Sequence, residues 1–157
     1  MSQPSSTPPT GKPTGDAIQA VQDALATEHA AVWTYGLVSA FLKEQADQTA
    51  AGANSHRARR DATERILRDT NAEPVPPAPA YLPPAPVTDA ASSIAALVAV
   101  EIDGCTAWRG VLDRTEDQDL RRSALDALTS CAVRATRWRK TGGLTPTSLA
   151  LPGTAVG

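Results

Sequence analysis

Glu28, His56, Arg60 and Glu101 stand on helical stripes whose other members are mainly Ala, Leu, Ile and Cys. A charged group in a core costs several kcal/mol unless a partner meets it there. Four such groups on three separate segments are accounted for if the segments bring them together. Arg134, on a fourth segment, falls three residues after Cys131 on the same kind of stripe.

Two chemistries fit those residue types. Helical di-metal sites take one Glu from each of two helices and a Glu-x-x-His pair from each of the other two. Glu28 and Glu101 match the single carboxylates. Ala53-x-x-His56 keeps the imidazole without its Glu, and Cys131-x-x-Arg134 keeps neither ligand. The metal alternative is therefore iron or manganese on Glu28, His56 and Glu101, with open positions for oxygen or peroxide chemistry. The favoured reading is an ion-pair network of Glu28, His56, Arg60, Glu101 and Arg134, with no catalytic residue and no cofactor. Arginine is no metal ligand, and its planar fork matches a carboxylate. A turn near residues 45–47 sets Arg60 level with Glu28, and His56 closer to Glu101. A third reading places a small anion on Arg60 and His56 inside the protein.

The segments that carry these groups read as four helices. The first, about 16–45, opens at Asp16 with Gln19 as a capping-box partner and carries Ile18, Val21, Leu25, Val32, Tyr35 and Leu42. A polar stretch from Lys43 to Thr49 holds a turn. The second helix, about 48–70, is the most polar, with Ala53, Thr63 and Leu67 beside its charged positions, and ends at Asn71 and Pro74. The third, about 89–115, starts at Thr88 or Asp89 and runs through Ile94, Leu97, Cys105, Trp108 and Leu112. Thr115 and Gln118 form a second capping-box pattern for the fourth, about 116–140, with Leu120, Ala124, Leu128, Cys131, Ala135 and Trp138 inward and Gly142 as its stop.

Residues 73–86, EPVPPAPAYLPPAP, hold seven prolines and are extended. At roughly 3.1 Å per residue this crossover, 72–87, spans roughly 43 Å, against roughly 40 Å for the third helix. Two antiparallel hairpins joined by one long crossover define an all-α, antiparallel four-helix bundle of the ferritin-like type. Residues 1–14 read as a disordered leader, 15–141 as the bundle, and 142–157 as a tail that is disordered or lies along the surface.

Composition narrows the function classes. Net charge is -2, and aromatic residues are 4% of the 157. The balance argues against nucleic-acid binding. Ile94–Val100 is too short to span a membrane, and two cysteines make no disulfide framework. A cytoplasmic setting and a homodimer are expected. His29 points off the inner stripe and reads as a surface residue. Cys105 and Cys131 read as small buried residues, and Tyr35 and Trp108 as core volume. Arg137, Arg139 and Lys140 cluster in the last turn of the fourth helix, where they complement its dipole.

The strings TEHAAVWTYG at 27–36, HRARRDA at 56–62, PAYLPPAPVTDAASS from Pro79, EIDGCTAWR at 101–109 and AVRATRWR at 132–139 resemble an uncharacterised ferritin-like domain family of high-GC Gram-positive bacteria. The resemblance covers roughly residues 16–140. It implies a ferritin-like fold and no particular activity. The departures at Ala53, Cys131 and Arg134 set this chain apart from the di-iron members of the wider group.

Overall fold

The computed structural model describes residues 13–154, so part of the expected leader and the last three residues lie outside the described residues. Helix α1 spans Gly15–Val38, α2 Ala46–Asp69, α3 Ala90–Leu112 and α4 Gln118–Thr141, with a single 3-10 turn, Lys43–Gln45, between α1 and α2. Among the described residues there is no strand. The most extensive helix packing is α3 on α4, followed by α1 on α3 and α1 on α2.

The helix ends follow from local chemistry. Asp16 sits inside the first turn of α1, where its charge suits the dipole, and the N-cap is Thr14 with no side-chain bond. Gln19 bonds Asp23 instead of the cap. α1 stops at Val38, short of the expected 45, and its apolar stripe outlasts its helix. The Leu42 amide still donates to the Val38 carbonyl while its own backbone leaves helical geometry, and its side chain stays buried. Asn71, at φ 62, closes α2 in the left-handed conformation that Asn tolerates. Asp89 and Ser92 form a reciprocal capping box for α3. At α4 the cap is Asp117, which accepts from the Leu120 amide at 2.8 Å, in place of the Thr115 pattern.

The crossover is fastened to α1. The Gln22 side chain donates to the Glu73 carbonyl at 2.7 Å and accepts from the Val75 amide at 2.8 Å. Further along, Tyr81 packs against Trp33 with ring centroids 6.0 Å apart. His29 is therefore buried, contrary to the surface position read from the sequence. The crossover passes over it, and the Val75 carbonyl lies 3.1 Å from its Nε2.

The apolar interior falls into two clusters. One gathers Ala31, Tyr35, Val38, Leu42, Leu97 and Trp138. The other gathers Val21, Leu25, Leu67, Trp108, Val111 and Leu120. Glu28 on α1 and Glu101 on α3 lie in sequence between the two sets, so a charged layer divides the core. Among the described residues, α3 alone has the length and mean hydropathy of a membrane span. Its apolar faces pack on α1 and α4, and Glu101 sits near its middle.

Two helical glycines make room for that layer. A Cβ at Gly52 would run into the Tyr35 ring, and one at Gly104 would stand 2.8 Å from the Cys131 sulfur. The small residues let α2 approach α1, and α3 approach α4, at the level of the charges.

Candidate functional site: a buried charged layer

His56 is the hinge of the layer. Its Nδ1 lies 2.7 Å from Glu28 Oε2 and its Nε2 lies 3.1 Å from Glu101 Oε1. An ionised carboxylate only accepts, so this geometry suits a ring with hydrogen on both nitrogens, an imidazolium. One side chain of α2 thereby ties α1 to α3. All three residues are at most 1% exposed.

Each carboxylate has further donors. Trp108 Nε1 donates to Glu28 Oε1 at 2.7 Å, and Arg59 Nη1 approaches the same oxygen at 3.4 Å. Glu101 Oε1 accepts from Arg134 Nε at 2.8 Å and from the Tyr35 hydroxyl at 2.5 Å. Trp138 Nε1 donates in turn to the Tyr35 oxygen at 2.9 Å. Arg134 is held by the Ser55 and Ser130 hydroxyls at 3.1 and 2.8 Å. The chain of contacts reaches all four helices.

Burial pushes the Glu28 and Glu101 carboxyls up, but His56 and the neighbouring arginines outweigh it, and both end below the ordinary carboxylate value. Burial alone would lower His56; hydrogen bonds to Glu101 and Glu28 raise it instead. Desolvation and the Glu101 charge push the Tyr35 hydroxyl far up, so it stays a donor.

Both cysteines are free and buried. Cys131 lies within 3.4 Å of Arg59 Nη1 and 4.0 Å of Arg134 Nη2. Two guanidinium groups would ordinarily favour a thiolate. Burial and the Glu101 charge nevertheless push the Cys131 thiol well up, so it stays protonated. Cys105 points its thiol at the Leu128 carbonyl, and burial raises it to about 11.

Of the five residues singled out in the sequence, Glu28, His56, Glu101 and Arg134 come together and Arg60 does not. Arg60 turns away from the interior and pairs with its neighbour Asp61 at 2.8 Å. Arg59 takes the expected place beside Glu28. Both residues lie one turn beyond His56, at i+3 and i+4, and the i+3 direction faces Cys131 of α4 while i+4 faces the crossover side. Sequence reasoning also missed the polar roles of Tyr35, Trp108 and Trp138. Aromatic residues with N–H or O–H groups, at core spacing beside unpaired carboxylates, were the available signal.

These positions differ in what their loss does. Trp108→Phe keeps an aromatic ring but strips one donor from a buried carboxylate and leaves a small cavity; the lost bond alone is expected to cost about 1–3 kcal/mol. Arg60→Ala removes an exposed pair and is expected to change stability by less than about 1 kcal/mol. Urea unfolding of both variants beside the parent measures the contrast, and equal losses would mean that the Trp108 bond to Glu28 contributes no more than the exposed Arg60–Asp61 pair.

Four helices arranged around a buried charged layer define the class. The chain belongs to the family described as domain of unknown function (DUF4439), whose model matches residues 20–156. Among solved structures it is similar to the crystal structure of a conserved hypothetical protein, rv2844, from Mycobacterium tuberculosis. The two are 38% identical, with a TM-score of 0.78, over 82% of this chain and 98% of that one. No curated protein matches the chain.

Proposed function

We propose that this chain is a ferritin-like, antiparallel four-helix bundle in which a buried Glu/His/Arg network stands where a di-metal centre would be. It serves as a non-enzymatic structural or partner-binding module, as a homodimer in a reducing, cytoplasmic setting. Contact order along the helices supports the topology. Glu28 meets Trp108 while Tyr35 meets Glu101, so α1 and α3 run in opposite directions. Glu101 meets Arg134 while Cys105 meets Leu128, which opposes α3 and α4. Tyr35 lies against Gly52 while Gln22 reaches the crossover beyond the end of α2, which opposes α1 and α2. One long connection between two hairpins is the ferritin-like arrangement. The free thiols favour a reducing setting. Leu125 and Val133, exposed on the outer side of α4, favour self-association.

The observation that carries the functional reading is the double engagement of His56. A metal ligand needs a ring nitrogen with a free lone pair, and both nitrogens here face carboxylates. Arg59 and Arg134 bring fixed positive charge to the same two carboxylates. The donor set does not fit iron or manganese. Among the described residues, no group of three or more His, Cys, Asp or Glu side chains has metal-binding geometry. One observation favours the metal reading: Glu101 Oε2 is buried without a hydrogen-bond partner. A single unpartnered oxygen on a carboxylate already paired with His56 and Arg134 is a weak ligand set.

Elemental analysis of protein purified without chelator separates the two readings. The expected result is no stoichiometric iron or manganese, even after refolding with either metal in excess. Stoichiometric metal that disappears in Glu101→Ala would overturn the network reading and restore Glu28, His56 and Glu101 as ligands.

A further inference from the structure

We propose that the space enclosed by α3, α4 and the C-terminal segment is a binding pocket for a short-chain carboxylate. After α4 the chain turns back on itself: the Leu144 amide donates to the Arg139 carbonyl at 2.8 Å, and Arg139 Nε donates to the Pro146 carbonyl at 2.6 Å. Further on, Gly153 at φ 82 lies flat on the Cys105 backbone, where a Cβ would stand 2.5 Å from the carbonyl oxygen. The segment thus forms a strap over the groove between α3 and α4. Beneath it is a cavity of about 80 Å³, floored by Ile102, Cys105, Ala132 and Ala135 and roofed by Leu149 and Leu151.

Close-packed interiors leave few voids larger than a water molecule. An apolar void of about 150 Å³ takes the six carbons of benzene, so a space about half that size suits an alkyl tail of about three carbons. Arg139 is the one charged residue in the wall. Its Nε is spent on the Pro146 carbonyl, and among the described residues no acceptor takes its Nη groups. A guanidinium edge presented above an apolar floor matches a carboxylate with a short alkyl tail. With no Asp or Glu in the wall, nothing there repels an anion. Leu151 is 72% exposed, so that part of the roof lies open to solvent and gives the guest a way in.

The test is a titration of the full chain with sodium butyrate at constant ionic strength, followed by calorimetry, with sodium chloride and 1-butanol as controls. Saturable butyrate binding is expected, and Arg139→Gln is expected to weaken it about tenfold or more through the lost charge-assisted bond. Ala132→Leu fills the floor and is expected to abolish it. In the unsubstituted protein, saturating butyrate is expected to shift the NMR signals of the Ala132 and Ala135 methyl groups in the floor, a readout independent of either variant's folding. Butyrate that behaves like chloride, 1-butanol that binds as tightly as butyrate, unchanged affinity in Arg139→Gln, or unmoved Ala132 and Ala135 methyl signals would each overturn the proposal.

Discussion

Glu101→Gln is expected to destabilise the protein by about 3–5 kcal/mol, although it changes one heavy atom. The carboxylate oxygen accepts from His56, Tyr35 and Arg134 at once, and it neutralises two cationic groups in a dry interior. An amide has no charge to offset them. Its NH₂ group also competes for the same confined space with donors that need an acceptor. The loss corresponds to a fall in melting temperature of roughly 10 °C for a chain of this size. Urea denaturation gives the free energy directly. A cost below about 1 kcal/mol would mean that Glu101 fills volume and little else. Glu101→Gln combined with Arg134→Gln should recover part of the loss, because the second change removes one of the charges the first left uncompensated.

The second large effect is a stability maximum between about pH 4.5 and 6.5, with a steeper fall on the acid side. Glu28 and Glu101 have folded values below the ordinary 4.5. Their contribution is complete above that value and is lost as pH falls through the lowered folded values. His56 works the other way: its folded value is raised above 6.5. Its contribution is complete below 6.5 and is lost as pH rises through the raised value. Each proton contributes at most about 1.4 kcal/mol per pH unit, so two carboxylates give the acid limb about twice the slope of the histidine limb. Thermal melts across pH 3–10 trace both limbs. His56→Gln is expected to flatten the alkaline limb and Glu101→Gln to shallow the acid one. A parent curve with no alkaline decline would show that His56 is neutral in the folded state.

How much of this was legible in the sequence depends on what each residue reports. Glu28 and Glu101 announced themselves because a carboxylate interrupts an otherwise apolar stripe, and burial cost then requires a partner. The four helices follow from apolar spacing and from the prolines that interrupt it. Arg59 and Arg60 show the limit. Adjacent residues on a helix differ by about 100° in direction, and only the packing of α4 decides which one faces inward. Leu42 shows another: a buried residue at helical spacing extended the apparent helix, although the chain had already turned at Ser39. Tyr35, Trp108 and Trp138 were legible as volume. Their hydrogen bonds depend on sub-ångström placement across helices, which spacing does not encode.

The way α2 is attached has a consequence for how the molecule comes apart. Its backbone packs closely on α1 but not on α3 or α4. Its middle reaches those helices through His56, Arg59 and Ser55, with Leu67 packed apolar toward one end. The other three helices supply most of both apolar clusters on either side of the charged layer, to which α2 adds Ala53 and Leu67 as buried members. Protonating the carboxylates therefore loosens α2 as a cooperative unit while the remaining three hold together. In mild acid its backbone amides would surrender their hydrogens to deuterium ahead of the rest. The charged layer would thus act as a latch on a single helix, and the partial opening would uncover the Tyr35 ring that Gly52 now covers.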